Sequence, residues 1–253
     1  MNLTGRPALV TGGGTGLGRA ISMALASAGA RVAIGYSRSA DDAEATVAAI
    51  EAAGGRAVAI RADLALWDAA AELVDAAEAA LGPLDVLVNN AALTRYVPFR
   101  DLADVTEQDW DIVFDVNLRA MFAVAQVVAP RMIARGGGRI LNVASNSGIT
   151  AEGSSLPYVV SKTAVIGLTH ALARAVAPTV LVNGIAPGWM ETRWLDMYIP
   201  ESRRAKIAAS PVPPVPVEDV AAAAVALIAN DSINAEILVI DRGERWHPEP
   251  APS

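Results

Sequence analysis

The chain has 253 residues, 53% of them hydrophobic and 19% charged, which is enough to bury the core of one α/β domain. Its formal charge of −7 at pH 7 argues against binding to a nucleic acid or to an anionic membrane surface. With no cysteine and two histidines it has no disulfide framework, and we expect no metal site.

The first residues, MNLTGRPALVTGG, lack the basic segment and the long apolar run of a signal peptide. No run of about 18 uninterrupted apolar residues occurs along the chain, so we expect no membrane span. A cytoplasmic protein is the expectation that follows.

Short apolar runs alternate with Ala-rich stretches of helical length. We predict strands at 7–12, 31–36, 56–63, within 82–92, and at 138–145, 179–188 and 236–243. We predict helices at 18–30, 41–53, 68–81, 107–135, 157–177 and 217–229. Such alternation is typical of parallel strands covered on both faces by helices, so we predict one doubly wound parallel sheet, a Rossmann fold, over residues 1–246.

Two segments stand outside this alternation. Residues 189–216, which include SPVPPVP, are long for a plain loop, and such segments are often lids over a binding site. The Pro-rich tail at 247–253 is expected to be loose.

A glycine-rich loop, TGGGTGLG at 11–18, follows the first predicted strand and opens the next helix. Glycine permits a tight turn and lets backbone N–H groups approach a pyrophosphate at the helix N-terminus. The spacing of Gly12, Gly16 and Gly18 differs from the usual G-x-G-x-x-G, so a merely structural turn is the alternative.

Tyr158 and Lys162 lie four residues apart in a predicted helix, so they share one face of it. Lys162 is one of only two lysines in the chain. A cation beside a phenol lowers its pKa, which would prepare Tyr158 to exchange a proton. The alternative is a tyrosine on a buried helix with a lysine that reaches solvent.

Five elements, in this order and spacing, resemble the classical short-chain dehydrogenases/reductases over about residues 3–243: TGGGTGLG, NNAA at 89–92, Asn117 in FDVNLRAMF, Ser145 in VASNSG, and YVVSK at 158–162. Ser145 precedes Tyr158 by thirteen residues, as the family pattern requires. PGWMET at 187–192 matches the family's P-G-x-x-x-T. Within the family, the nearest resemblance is to 3-oxoacyl-carrier-protein reductases and carbonyl reductases.

The resemblance implies a role for each of these residues. Tyr158 would be the general acid/base, Lys162 would lower its pKa and bind the nicotinamide ribose, Ser145 would orient the substrate oxygen, and Asn117 would help to hold a water that links Lys162 to solvent. The implied cofactor contacts, besides Tyr158 and Lys162, are Gly12, Thr15, Gly16, Leu17 and Gly18 at the pyrophosphate, Asp63 and Leu64 beside the adenine, Asn90 and Ala91 near the adenosine ribose, and Pro187, Gly188 and Thr192 around the carboxamide. The alternative for Asp63 is an ordinary cap at the end of a strand.

The end of the second predicted strand bears on the choice of cofactor. A carboxylate there would bind the ribose 2′-hydroxyl and repel a 2′-phosphate, but this chain has Tyr36, Ser37 and Arg38. A hydroxyl and a guanidinium suit a phosphate, so we predict NADP(H), with NAD(H) possible if Arg38 is only a solvated loop charge. Thr15 stands where many NADP-preferring relatives carry a basic residue.

The substrate and the assembly are less sharply indicated. Apolar and aromatic residues in the lid (Trp189, Met190, Trp194, Met197 and Tyr198) favour a hydrophobic ketone or alcohol, unless they serve lid packing or a subunit interface. Arg95 and Tyr96 are left without a role. The resemblance implies a homo-oligomer, a tetramer or a dimer, although Arg242 replaces a glycine in a region that commonly packs against another subunit.

We therefore predict an oxidoreductase that transfers a hydride between NADP(H) and a ketone or secondary alcohol, with a small-molecule substrate and no nucleic acid or membrane partner. The open alternatives are an NAD-linked sugar or alcohol dehydrogenase, a pteridine-reductase-like enzyme, and a non-catalytic dinucleotide-binding regulatory protein.

Overall fold

The computed structural model describes residues 1–246, without the side chain of residue 206. In this part of the chain, seven parallel strands form one sheet in the order β3-β2-β1-β4-β5-β6-β7. The strands are β1 (Pro7–Thr11), β2 (Arg31–Tyr36), β3 (Arg56–Arg61), β4 (Val86–Asn89), β5 (Gly138–Val143), β6 (Val180–Pro187) and β7 (Ile237–Ile240). The predicted doubly wound parallel sheet is confirmed. The tail at 247–253 lies outside the described residues.

The helices cover both faces of the sheet. They are α1 (Gly16–Ser27), α2 (Ala40–Ala52), α3 (Ala69–Leu81), α4 (Glu107–Phe114), α5 (Ala120–Ala134), α6 (Ser147–Thr150), α7 (Leu156–Val176), α8 (Arg193–Tyr198), α9 (Glu201–Ala208) and α10 (Val217–Ala229). Every predicted strand and helix is present, and their ends shift by up to three residues. β2 has the predicted bounds, whereas β1, β3, β5, β6 and β7 end one to three residues early because their last predicted residues leave the sheet to form loops.

The sheet is apolar on both faces because each face is covered. On one face, Ile21 and Leu25 of α1 and Val220 of α10 pack against Val10 and Ile34. On the other face, α3, α5 and α7 pack against residues such as Leu87 and Val182. Full burial of one such side chain is worth about 1.5–3 kcal/mol, so these two layers supply most of the driving force for folding.

The chain reverses direction across the sheet between β1 and β4, and this position is the topological switch point of the fold. The Thr11 hydroxyl at the end of β1 accepts hydrogen bonds from the backbone N–H groups of Asn90 and Ala91, at 3.0 Å each. The Asn90 side chain donates to the carbonyl oxygens of Thr11 and Gly12 at 2.9 and 3.1 Å. These bonds fix the glycine loop against the end of β4, where ligands of such sheets bind.

The predicted helix at 107–135 is interrupted by one wide π-helical turn at Asp115–Arg119, between α4 and α5. Thr106 begins this long helix with a capping box that it forms with Asp109. Asn117 lies within the π turn, a feature that often marks functional sites. The segment at 189–216 also has structure of its own, since it contains the short helices α8 and α9.

Two long helices, at 107–134 and 156–176, are apolar enough to cross a membrane by length and composition alone. The most apolar windows of these helices are 50% and 39% buried inside the protein. Both helices pack on the sheet, with Val128 and Met132 from the first and Leu172 and Val176 from the second in one core cluster. Core helices that cover a sheet pass the same test of length and composition.

Candidate active site

A cavity of about 1480 Å³ opens above the carboxyl ends of the central strands. All the residues predicted to contact a cofactor line it: Gly12, Thr15, Gly16, Leu17, Gly18, Ser37, Arg38, Asp63, Leu64, Asn90, Ala91, Tyr158, Lys162, Pro187, Gly188 and Thr192. Ser145 lines it as well. Ligand pockets of drug size measure about 300–1,000 Å³, so this cavity has room for a dinucleotide and a further small molecule.

The glycine loop fits a pyrophosphate. Gly12 and Gly16 have φ of +62° and +49°, the left-handed region that glycine adopts without strain. A Cβ at Gly18 would overlap the carbonyl oxygen of Gly12 and lie 2.5 Å from the Asn90 side-chain nitrogen, so only glycine lets α1 start this close to β4. The N-cap residue of α1, Thr15, makes no side-chain cap, which leaves the N–H groups of the first turn for an anion in the cavity.

Tyr158 and Lys162 lie in the first two turns of α7, above the end of β5. Ser155 caps this helix and accepts a hydrogen bond from the backbone N–H of Tyr158. The Tyr158 hydroxyl hydrogen-bonds the Ser145 side chain, which comes two residues after β5. The Lys162 ammonium lies 5.8 Å from the centroid of the Tyr158 ring and donates to the Val143 carbonyl at 2.8 Å. The three side chains are therefore brought together as predicted.

The pKa of Tyr158 moves in the direction opposite to the expected one. Burial raises the pKa of Tyr158 to about 12, and its hydrogen bond with Ser145 offsets only part of this rise. Burial also lowers the pKa of Lys162 to about 7, because a desolvated ammonium is disfavoured. No charge effect of Lys162 offsets the rise in the pKa of Tyr158, so Tyr158 is present as a protonated donor near neutral pH.

Asn117 does not line the cavity, and its side chain is used inside the protein. Its amide nitrogen donates to the Leu93 carbonyl at 3.0 Å and to the Ser161 hydroxyl at 3.1 Å, while its oxygen accepts from the Leu93 N–H at 2.8 Å. The Ser161 hydroxyl donates in turn to the Tyr158 carbonyl at 2.7 Å. Asn117 therefore ties the loop after β4 to α7.

Arg61 at the end of β3 was not predicted as a site residue. It pairs in register with Tyr36 on the neighbouring strand, and its Nε donates to the Ser37 carbonyl at 3.3 Å. Arg38 and Arg61 both line the cavity, and neither forms a salt bridge within residues 1–246. The exposed guanidinium groups of Arg38 and Arg61 therefore both lie near Ser37. The position of Arg61 depends on the pairing of β3 with β2, which the sequence alone does not reveal.

Asp63 serves as a local cap while it also lines the cavity. Its side chain accepts a hydrogen bond from the Ala65 N–H at 3.3 Å, as an ordinary turn residue does. Arg95 and Tyr96 do not contribute to the cavity wall, and Arg95 instead pairs with Asp109 at 2.5 Å.

Aromatic rings from the lid continue from Tyr158. The Trp194 ring centroid lies 6.0 Å from that of Tyr158 and 4.6 Å from that of Tyr198. Trp189, Met190 and Met197 also line the cavity. The apolar and aromatic residues predicted at 189–216 therefore all contribute to the cavity wall, and Trp194 contacts the Tyr158 ring.

The C-terminal turn contributes a second group of unpredicted residues to this wall. Glu244, Arg245 and Trp246 line the cavity, as does Asn146, the residue after Ser145. No motif in the sequence indicated them, since they follow the last strand and reach the site only through the fold.

The fold and this cavity define a nicotinamide-dependent oxidoreductase. Residues 6–201 match the family model of the short chain dehydrogenases, and the chain belongs to that family.

Among curated relatives, the chain is 36% identical over 227 residues to the 3-oxoacyl-[acyl-carrier-protein] reductase FabG of Staphylococcus aureus strain Mu50, covering 89% of this chain and 91% of the relative. The FabG of Staphylococcus epidermidis strain RP62A is 40% identical over 186 residues, covering 73% of this chain and 75% of the relative.

Solved structures are similar over nearly the whole length. A short chain dehydrogenase from Burkholderia cenocepacia J2315 in complex with NADP has a TM-score of 0.84 and 38% identity, covering 96% of this chain and 98% of its own. A blue fluorescent protein from a metagenomic library in complex with NADPH has a TM-score of 0.85 and 34% identity, covering 96% and 99%.

Proposed function

We propose that this protein transfers a hydride between NADP(H) and a ketone or secondary alcohol. The observation that carries the proposal is the contact between the Tyr158 hydroxyl and Ser145, with Lys162 one turn away, at the floor of the cavity. A protonated phenol and a neighbouring hydroxyl form a pair of donors for one carbonyl oxygen.

Each side chain then has a distinct task in reduction. When bound, NADPH supplies the hydride that the carbonyl carbon accepts. The Ser145 hydroxyl holds the carbonyl oxygen, and the Tyr158 hydroxyl gives it a proton as negative charge develops there. Lys162, when charged, stabilises the phenolate that Tyr158 leaves behind. Asn117 supports the site by holding α7 through the Ser161 hydroxyl. Oxidation of an alcohol runs the same steps in reverse.

The cofactor contacts follow the shape of the cavity. We assign the pyrophosphate to the glycine loop and the start of α1, and the 2′-phosphate to Ser37, Arg38 and Arg61. The exposed guanidiniums of Arg38 and Arg61 and the absence of a carboxylate at the end of β2 support NADP(H) over NAD(H). Two similar structures are complexes with NADP or NADPH, which also supports this choice.

Tryptophan fluorescence tests the proposal, because Trp189, Trp194 and Trp246 line the cavity. Purified protein is titrated with NADPH and separately with NADH, and then assayed on a panel of ketones. We expect tighter binding of NADPH and turnover of at least one ketone. Equal or tighter binding of NADH would favour an NAD-linked sugar or alcohol dehydrogenase. Tight binding of NADPH without turnover on ketones or on a pteridine would favour a regulatory protein.

We also propose that the enzyme is a cytoplasmic homo-oligomer that acts on a small molecule. Three large apolar side chains on the long helix at 107–134 are exposed and lie outside the cavity wall: Trp110 at 37%, Phe122 at 37% and Ile133 at 43%. Contact with another chain would cover side chains of this kind. Light scattering should give a mass that is a multiple of 26.1 kDa, and Phe122→Glu should lower it.

A further inference from the structure

The chain folds back on the cavity after β7, in a turn that Asp241 organises. The buried Asp241 carboxylate accepts hydrogen bonds from the backbone N–H groups of Gly243 at 2.9 Å and Arg245 at 3.2 Å. The Gly188 N–H donates to the Ile240 carbonyl at 2.9 Å, which joins the start of this turn to the end of β6. The turn thereby presents Glu244 to the cavity.

The Glu244 carboxylate joins two segments of the site. It accepts a hydrogen bond from the Trp189 N–H at 3.3 Å, and the Asn146 side-chain amide donates to it as well. A Cβ at Gly188 would overlap the Glu244 Oε2, so the carboxylate approaches the backbone at a point that only glycine leaves open.

Both partners of Glu244 occupy positions that matter for the proposed reaction. Asn146 directly follows Ser145, is 6% exposed, and donates its backbone N–H to the Pro187 carbonyl at 2.9 Å. Trp189 is the first residue of the lid, and its carbonyl accepts from the Val215 N–H near the other end of the lid at 2.7 Å. The two ends of the lid thus meet at Trp189, whose N–H Glu244 holds.

We propose that Glu244 is a positioning residue that fixes Ser145, through Asn146, relative to the neck of the lid at Trp189. This inference rests on the proposed function, since Ser145 and the lid are assigned to substrate there. Among the described residues, Glu244 forms no hydrogen bond with Ser145 or Tyr158. It therefore acts through its two hydrogen-bond partners, Asn146 and Trp189.

The cost of placing a carboxylate here supports a specific role. Burial raises the pKa of Glu244, and the nearby acids Asp241 and Glu152 raise it further, while the bonds from Trp189 and Asn146 act against this. No salt bridge reaches Glu244 in the part of the chain that the structure describes, and Arg245 faces Asp241 and the Trp246 ring instead. A partly buried carboxylate without a cation is costly, and a neutral side chain would avoid that cost.

The test compares Glu244→Ala and Glu244→Gln with Glu51→Gln, an exposed glutamate at the far end of α2. We expect Glu244→Ala to lower kcat/KM for a ketone by about 10- to 100-fold, the effect of losing one hydrogen bond to a charged group. Glu244→Gln keeps an oxygen acceptor, so it should recover part of the loss. Binding of 2′,5′-ADP at the distant adenosine end should stay unchanged in all three variants.

Trypsin cleavage gives a readout that does not need turnover. In Glu244→Ala the lid loses its anchor, so cleavage after Arg193 and Arg203 should accelerate several-fold relative to cleavage elsewhere in the chain. Wild-type activity and unchanged lid cleavage in Glu244→Ala would overturn the inference. So would a parallel loss of activity, 2′,5′-ADP binding and thermal stability, which would make Glu244 a general structural residue. A wild-type protein that turns over no ketone would instead contradict the proposed function, and the cleavage rates would still decide the role of Glu244.

Discussion

The Lys162 ammonium lies 5.8 Å from the centroid of the Tyr158 ring and donates its hydrogen bond to the Val143 carbonyl rather than to the phenol. Lys162 is 2% exposed, and burial lowers its pKa to about 7. Burial of Lys162 therefore lowers the stability of the folded protein, and burial of the neighbouring Tyr158 keeps its hydroxyl protonated. An arrangement that costs stability and gives a proton donor is typical of an active site.

Lys162→Met tests this cost. The unfolded chain keeps the ordinary lysine pKa of 10.5, so between pH 7 and 10.5 it binds more protons than the folded protein does. The penalty from Lys162 is therefore full below about pH 7 and fades as the pH rises towards 10.5. We expect Lys162→Met to raise the free energy of unfolding by about 1–4 kcal/mol at pH 6.5, with a smaller gain at pH 9.5, and to remove activity.

Urea unfolding at the two pH values measures this difference, with Arg100→Met, at an exposed position on the surface, as the control. The control should change stability little and equally at both pH values. A gain for Lys162→Met that is the same at both pH values, or larger at pH 9.5, would contradict the lowered pKa.

Tyr158→Phe and Ser145→Ala separate the proton donor from the group that holds the oxygen. Tyr158→Phe should lower kcat for a ketone by about 10²- to 10⁴-fold, because the proton then has no positioned source. Ser145→Ala should lower kcat by about 10²- to 10³-fold, as the loss of one oxyanion donor does. Because the two hydroxyls contact each other, the double variant should lose less than the product of the single losses. Steady-state kinetics and NADPH titration check this, and a Tyr158→Phe protein with wild-type kcat would refute the assignment.

Arg38→Gln and Arg61→Gln test the proposal that these two arginines bind the 2′-phosphate of the cofactor. Each change removes a charge-assisted hydrogen bond, so the Kd for NADPH should rise about 10- to 100-fold while the Kd for NADH changes by about twofold or less. Arg100→Gln serves as the matched control. If Arg38→Gln shows the effect and Arg61→Gln does not, Arg61 only supports the Ser37 loop; if both variants weaken NADH equally, the arginines bind the cofactor elsewhere.

Sequence reasoning found the fold and most of the cavity wall for one physical reason. In a parallel sheet the carboxyl ends of all strands lie at one edge, so residues that follow the strands meet there whatever the details of packing. Gly12 after β1 follows this rule, and Asn90 after β4 and Pro187 at the end of β6, which the family resemblance indicated, lie where the rule expects them. Arg61 and Glu244 were missed because their roles depend on strand register and on the path of the chain after β7.

The pKa values of the site residues could not be predicted from the spacing of these residues in the sequence. The four-residue spacing of Tyr158 and Lys162 predicts a shared helix face, which the structure confirms, but not the burial that sets both pKa values. For Asn117 the family resemblance indicated a role, whereas the three hydrogen bonds of its side chain depend on the π turn and on the loop at Leu93. Desolvation and internal hydrogen bonds are properties of the packed molecule.

Gly18→Ala tests the glycine loop, where fold and site meet. The added methyl group would overlap the Gly12 carbonyl and crowd the Asn90 side chain, so either the loop or the start of α1 must move. We expect a loss of about 1–3 kcal/mol in the free energy of unfolding, the usual effect of overpacking, and a rise of at least about tenfold in the Kd for NADPH. Gly167→Ala is the control, since this glycine lies inside α7 with open space around its Cβ position, and it should raise stability by about 0.5–1 kcal/mol with NADPH binding unchanged. A Gly18→Ala protein that binds NADPH as the wild type does would show that the pyrophosphate does not lie against this turn.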